Sequence, residues 1–325
     1  MRAWQVQELG ELTGLRLVQT ARPAPDRGQV LVRNHAAALN FFDVLQVQGK
    51  YQVRPPLPFT PGAEVAGTIE AVGPDAGSFS AGDRVQAIVP LGGFAEYCVA
   101  ASDSVFRIPA TMGFAEAAAM PIVYQTSYFA LKRRAALQPG EWLLVHAAAG
   151  GVGCAAVQIG KAMGARVIAT AGNEEKVAFC RAQGADHALT YNDASWVERV
   201  REITGGRGAD VIFDPVGGDV TTLSLKCLAW EGRLLIIGFA GGVIPKIEAN
   251  RLLLRNVSAV GLYWGDYRKY NPELIAPAQQ ELFKLFEAGR IRPVVSKAWP
   301  FEQLIPALEA LGSRQTVAKV VLTLE

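Results

Sequence analysis

Long hydrophobic runs are missing from this chain: glycine, proline or a charge breaks each one well short of the roughly 18 residues a membrane span requires. Blocks of like charge are missing too. Lys+Arg number 32 against 30 Asp+Glu, a net charge of +2, so a nucleic-acid or membrane-surface role has no electrostatic footprint. Cysteine is scarce, with Cys98, Cys154, Cys180 and Cys227 far apart and no CxxC pair. In a chain this long they read as buried thiols of a reducing compartment rather than disulfides. Met1 leads straight into the strand-like Met1–Val6, with no charged segment followed by an apolar core, so a secretory signal is not expected. A soluble, cytoplasmic protein is the resulting expectation. Repeats of solenoid period and low-complexity tracts are also absent.

What the chain does have is a change of rhythm. Its 325 residues suit two domains at about 100–200 residues each. In the first third, short β-rich runs (Val30 to Arg33, Glu64 to Val72, Arg84 to Val89, Phe94 to Val99) are separated by glycine and proline, the spacing of a mostly-β, barrel-type domain. From about Pro121, strand and helix alternate. Trp142 to His146 is an apolar run fit for a central parallel strand, and Val152, Ala156, Ile159 and Met163 then recur at helical spacing. Val167 to Ala169 and a helix over Glu174 to Gln183 follow, then strands at His187 to Thr190, Val211 to Phe213, Leu234 to Ile237 and Val257 to Leu262. Alternation of this kind predicts an α/β fold with a doubly wound parallel sheet. The expected division is 1–121, then 122–265, with 266–325 returning to the first domain through an amphipathic helix (Leu282, Leu285, Phe286) and a strand over Lys319 to Leu324.

The sharpest motif is His146-Ala147-Ala148-Ala149-Gly150-Gly151-Val152-Gly153, lying between a predicted strand and a predicted helix. Ala147, Gly150 and Gly153 form A-x-x-G-x-x-G. Gly150 would admit the backbone to a pyrophosphate, Gly153 would let helix pack on strand, and the free N–H groups of the helix start would face the phosphates. Dinucleotide binders place an acid about 20 residues on to hold the ribose 2′-hydroxyl when the coenzyme is NAD. Here the second strand ends Thr170-Ala171-Gly172-Asn173, without an acid, and Lys176 follows. Asn173 and Lys176 could donate to a 2′-phosphate, which favours NADPH; the plainer reading of Lys176 is a solvated helix lysine.

These features resemble the medium-chain dehydrogenase/reductase superfamily, in its quinone oxidoreductase, zeta-crystallin-like branch. The resemblance spans essentially the whole chain. It rests on Ala38 to Asp43, Pro61 to Gly67, Gly82 to Val85, Ala147 to Gly153, Phe213 to Gly218, Gly238 to Gly241 and Ser313 to Gln315. It implies a Rossmann coenzyme domain plus a GroES-like mostly-β catalytic domain. Zinc alcohol dehydrogenases of that superfamily carry a Cys after the entry strands and a later Gly-His-Glu. This chain has Asn40-Phe41-Phe42-Asp43 and Gly62-Ala63-Glu64 there, and the lobe with four close cysteines is missing. A catalytic zinc needs about three protein ligands, and His35, His146 and His187 are scattered, so no metal is expected. Without a Lewis acid, an isolated ketone is harder to polarise than a conjugated acceptor, whose negative charge delocalises.

The resemblance then implies site residues. Asn40 and Tyr51 would line the substrate cleft, with Tyr51 a hydrogen-bond donor; the alternatives are a turn cap and a loop aromatic. Thr126 would lie near the nicotinamide, Tyr191 beside the adenosine ribose, Phe239 and Ala240 against the coenzyme together with Ala147, Gly150, Gly151, Val152 and Gly153, and Arg314 at the adenine end. Tyr263 and Trp264 either wall the pocket or pack a domain face. The expected activity is hydride transfer from NADPH to a quinone, enone or enal. An enoyl-thioester (acyl-CoA) reductase using Arg54, Arg268 and Lys269, or a low-turnover NADPH-binding protein, are the competing readings. The apolar strand Val257 to Leu262 predicts an edge paired across a homodimer.

Overall fold

Short apolar strands set off by glycine turns build the first part of the chain, and a computed structural model describes residues 1–192 and 194–324. Strands β1 (Arg2–Val6) and β2 (Leu15–Gln19) form an antiparallel pair. Then come β3 (Gln29–Ala38), helix α1 (Phe41–Val47), β4 (Glu64–Val72), β5 (Arg84–Ile88), β6 (Tyr97–Ala101), β7 (Val105–Arg107) and helices α2 (Phe114–Ala118) and α3 (Pro121–Tyr128). The alternation continues as β8 (Trp142–Val145), α4 (Gly151–Ala162), β9 (Arg166–Ala171), α5 (Glu174–Ala182), β10 (His187–Thr190), α6 (Trp196–Ile203), β11 (Ala209–Asp214), α7 (Gly218–Cys227), β12 (Leu228–Ile236), α8 (Ala249–Leu253) and β13 (Ser258–Gly261). Helices α9 (Tyr267–Tyr270) and α10 (Ile275–Glu287) precede β14 (Val295–Pro300), α11 (Leu304–Gly312) and β15 (Lys319–Thr323).

The chain divides into two compact units, Met1–Ile122 with Pro293–Glu325, and Val123–Arg292. In the first, a seven-stranded sheet runs β14-β15-β3-β4-β5-β7, with β6 pairing the first half of β3. Alternating inward residues such as Val30, Val32, Val65, Val85 and Ala87 meet Phe94 and the late residues Phe301, Leu304, Leu308, Val320 and Leu322 in one core. The pairing of β15 with the end of β3 (Val321 opposite Ala38) decides the site, because it delivers Lys319 to the start of α1.

In the second unit all six strands are parallel, in the order β10-β9-β8-β11-β12-β13. This is the doubly wound dinucleotide-binding order, whose ligand crevice lies beyond the strand ends where the winding reverses, between β8 and β11. Both strands are buried on both faces, which is why they read as continuous apolar runs. Gly160 of α4 has no room for a side chain: a Cβ there would come within 2.5 Å of Leu143 Cδ2 on β8.

The return to the first unit comes later than the expected 265/266 boundary. Tyr267 packs its ring on Phe129 at 4.7 Å. The buried Gln279 of α10 accepts from Gln125 at 3.0 Å, and the Arg292 N–H donates to Gln158 at 3.0 Å. The apolar face of α10 therefore belongs to the coenzyme-type unit. All four cysteines are free and buried, and desolvation pushes their thiols up to about 12. Among the described residues no helix is long and apolar enough to cross a membrane.

Candidate active site

The chain leaves β8 at Val145 and bends through Ala147, which adopts φ 46°, before α4 begins at Gly151. The Gly150 N–H closes the bend on the Ala147 carbonyl at 2.9 Å, and Ala148 N–H reaches Thr170 O of β9 at 3.0 Å. A Cβ on Gly153 would stand 2.4 Å from Ala147 O and 2.7 Å from Ala148 Cα, so only glycine lets α4 start this close to the bend. The first-turn N–H groups of α4, from Gly151 to Gly153, have no partners one turn back inside the helix and carry its positive dipole end. Such a geometry accepts a phosphate. Ser127 Oγ donates to Val152 O at 2.9 Å, which ties α3, the helix that carries Thr126, to the first turn of α4.

His146 is fully buried beneath the bend, with Nδ1 2.7 Å from Thr170 Oγ1 and Nε2 2.8 Å from Ser224 Oγ. Ser224 uses its hydrogen on Val220 O, so it accepts from Nε2–H, and Nδ1 accepts from Thr170. Desolvation lowers the imidazole to about 4, partly opposed by Asp214, so the ring is neutral. His146 thus clamps β8, β9 and α7 behind the loop. Asp214, also buried, accepts from the N–H groups of Val216 and Gly217 and from Thr221 Oγ1.

Around this crevice the second unit gathers most of the expected residues. Asn173 is the N-cap of α5, its Oδ1 accepting from the Lys176 N–H at 2.9 Å, so its Nδ2 remains the donor end. Both sit just past β9, and the Tyr191 N–H is bonded to Ala171 O at 3.2 Å on that same strand end. Phe239, more than one-third exposed, and Ala240 follow β12, where Ala240 N–H to Pro215 O (2.9 Å) fastens their loop to the one after β11. Arg314 is not among this group: it belongs to the first unit, exposed at φ 59° past the end of α11.

The first unit holds a second polar cluster, entirely buried. Lys319 spends all three ammonium donors, on Leu39 O (2.7 Å), Asn40 Oδ1 (2.8 Å) and Glu64 Oε1 (2.6 Å). Glu64 Oε1 also accepts from Asn40 Nδ2 at 2.8 Å, and its Oε2 accepts from Ile122 N–H at 2.8 Å. Asn40 is the N-cap residue of α1, and its N–H donates to Asp43 Oδ2 at 2.7 Å. Asp43 is fully buried with Oδ1 unpartnered among the described residues; desolvation pushes its carboxyl up to about 7, against the Asn40 hydrogen bond and the Lys319 charge. Tyr51 stacks on Phe42 of α1, ring centroids 5.5 Å apart. Asn40 and Tyr51 are therefore carried by one helix start and the loop that folds against it. Tyr263 is half exposed, and Trp264 is buried in the second unit.

Lys319, Asp43, Ser127 and the clamping role of His146 escape sequence reasoning. A signal existed for Lys319: a lysine heading the apolar strand Lys-Val-Val-Leu-Thr is buried only if a carboxylate meets it. Among the described residues no three His, Cys, Asp or Glu side chains are grouped to hold a metal ion.

Comparison with known proteins matches this geometry to a family. Residues 26–121 match the alcohol dehydrogenase GroES-like domain, and residues 151–279 match the family described as zinc-binding dehydrogenase. A quinone oxidoreductase-like protein 2 homolog of Nematostella vectensis is 41% identical over 90% of this chain and 81% of its own length. The solved Escherichia coli quinone oxidoreductase complexed with NADPH superposes with a TM-score of 0.92 at 31% identity, covering 100% of both chains. The CurK enoyl reductase superposes with a TM-score of 0.91 at 29% identity, over 100% of this chain and 99% of its own.

Proposed function

Because this chain belongs to the quinone oxidoreductase group of the medium-chain dehydrogenase/reductase superfamily, we propose that it moves hydride from NADPH to a quinone, enone or enal without zinc. The observation that carries the reading is the Ala147–Gly153 bend, where the contact at Gly153 excludes any side chain and seats the start of α4 against the bend, with its free N–H groups available to a pyrophosphate. NADPH, when bound, supplies the hydride. The chain's own residues hold and orient it: the α4 start takes the pyrophosphate, while Thr126, Phe239 and Ala240 flank the nicotinamide end and Tyr191 the ribose. Asn173 Nδ2 and Lys176 meet the 2′-phosphate, where one charge-assisted bond is worth about 1.5–3 kcal/mol, tenfold or more. Asn40 and Tyr51 contact the acceptor oxygen as charge develops on it.

Zinc independence is supported by chemistry at Glu64. Its carboxylate already neutralises the buried Lys319 ammonium and accepts two further N–H groups, so it has no charge to offer a dication. A site lacking a Lewis acid favours acceptors that delocalise their own negative charge. NADPH oxidation with 9,10-phenanthrenequinone, compared with NADH and measured beside zinc content, tests the reading. The expected result is turnover, at least about tenfold preference for NADPH, and substoichiometric zinc. No turnover with any quinone or enone, or stoichiometric zinc, would sink it.

The similarity to an enoyl reductase favours one second reading, reduction of an enoyl thioester with Arg54, Arg268 and Lys269 at its phosphates. Crotonyl-CoA outrunning free enones would select it.

We also infer a homodimer and a cytoplasmic protein. Strand β13 is a sheet edge, and Val243, Ile244, Leu253 and Leu254 near it in sequence are each at least 60% exposed. Light scattering should give twice the chain's 34.8 kDa, and Leu253→Lys with Leu254→Lys should halve it. A wild-type monomer rejects the assignment.

A further inference from the structure

The buried cluster in the first unit does more than hold β15 to α1. We propose that Lys319 is a positioning residue that locks the side-chain amide of Asn40, so that one Nδ2–H is held out for the acceptor oxygen. The claim rests on the proposed reading of Asn40 as an acceptor contact.

An asparagine amide has two faces of similar shape and opposite polarity, and nothing in its own bonding decides between them. Here its neighbours decide. Lys319 can only donate, so it takes Oδ1, and Glu64 can only accept in its ionised form, so it takes Nδ2. Turning the amide over would aim NH2 at an ammonium and C=O at a carboxylate. The backbone at Asn40 is held as well, by its N–H to Asp43 Oδ2. Lys319 has no donor left over, and Glu64 accepts on both oxygens, so neither partner can drift without losing a bond. Among the described residues only one of the two Nδ2 hydrogens of Asn40 is used, which leaves the second as a fixed donor. A donor aimed in advance at developing negative charge loses nothing to reorganisation during the reaction.

The test is a cycle of variants assayed with NADPH and 9,10-phenanthrenequinone. Lys319→Met should lower kcat about 10²-fold, the scale of a lost oxyanion donor, with KM for NADPH unchanged. Asn40→Ala should fall as far, and Lys319→Met added to Asn40→Ala should do nothing further. A purely structural lysine would give multiplying losses instead, and that result, or full kcat in Lys319→Met, overturns the proposal. Should Lys319→Met not fold, Lys319→Met with Glu64→Gln removes both buried charges together. Its glutamine can face either end of Asn40, so kcat should stay low in a folded protein; restored kcat overturns the idea. Nitrogen-15 NMR of the Asn40 side chain gives a readout without turnover. The amide C–N bond keeps the two Nδ2 protons distinct in any state, so the readout is their shifts. The wide separation imposed by the bond to Glu64 Oε1 in the wild type should narrow toward that of a freely turning asparagine in the double variant, and unchanged shifts reject the lock. Absence of turnover in the wild type would remove the activity reading alone, since the NMR comparison still decides the role of Lys319.

Discussion

Gly153→Ala will weaken NADPH binding by about 100-fold or more, the scale of a 1 Å displacement in a positioned site, while the protein remains folded. The new Cβ would meet Ala147 O at 2.4 Å and Ala148 Cα at 2.7 Å, and both neighbours are backbone. Neither can swing aside, because Ala148 N–H is fastened to β9 and Ala147 O already accepts from Gly150. Relief must come from moving the start of α4, and with it the N–H groups of Gly151 to Gly153. Stability should fall by roughly 1–3 kcal/mol, as for other overpacked positions. Gly160→Ala is the control. Two turns further along the same helix, its Cβ would press on Leu143 Cδ2, the end of a side chain on β8, so stability should drop while NADPH affinity holds. Fluorescence titration with NADPH and a thermal melt of both variants give the answer. Wild-type affinity in Gly153→Ala would remove the loop from the coenzyme site.

The bend was legible in the sequence because everything it needs is local: an apolar run, a glycine triplet and a helical period within two dozen residues. The parallel sheet was legible for a related reason, since each crossover repeats the same strand and helix pattern. The Lys319–Glu64 pair was not, because 255 residues separate the partners and only the β15–β3 register brings them together. The displaced boundary has a similar cause. Periodicity over α10 reports an apolar face but not which core receives it, and the deciding contacts, Gln279 to Gln125 and Arg292 to Gln158, span more than 130 residues. Asn40 sits at the N-cap of α1 with its N–H on Asp43, as a turn-capping residue would, but its side chain meets Lys319 and Glu64, distant partners that no local pattern names.

Asp43→Asn should tilt a stability profile that is nearly level in the wild type between pH 4 and 6.5. Asp43 ionises near 3.8 in an unfolded chain but about 7 when folded, burial being the chief cause. Below 3.8 the carboxyl is protonated in both states. As pH rises from there the unfolded chain sheds the proton and the folded one keeps it, so stability is lost at about 1.4 kcal/mol per pH unit until 7. His146 works the other way. Its imidazole titrates near 6.5 unfolded and about 4 folded, again because of burial. Its contribution is complete above 6.5 and is lost at the same slope, about 1.4 kcal/mol per unit, as pH falls to 4. In the shared window the two slopes oppose and nearly cancel. The lowered carboxylates Asp83, Glu96, Glu141 and Asp186 act only at its acid edge, where unfolded acids begin to protonate. Asp43→Asn keeps an oxygen for the Asn40 N–H and deletes one slope. Urea midpoints should then show the variant gaining on the wild type by about 1.4 kcal/mol per unit from pH 4 to 7, whatever constant offset its amide introduces. His146→Gln should show the reverse, losing stability steadily as pH rises from 4 to 6.5. Parallel profiles for Asp43→Asn and the wild type would mean that Asp43 stays ionised inside the fold, and that its buried carboxylate draws more from Lys319 than its hydrogen bonds reveal.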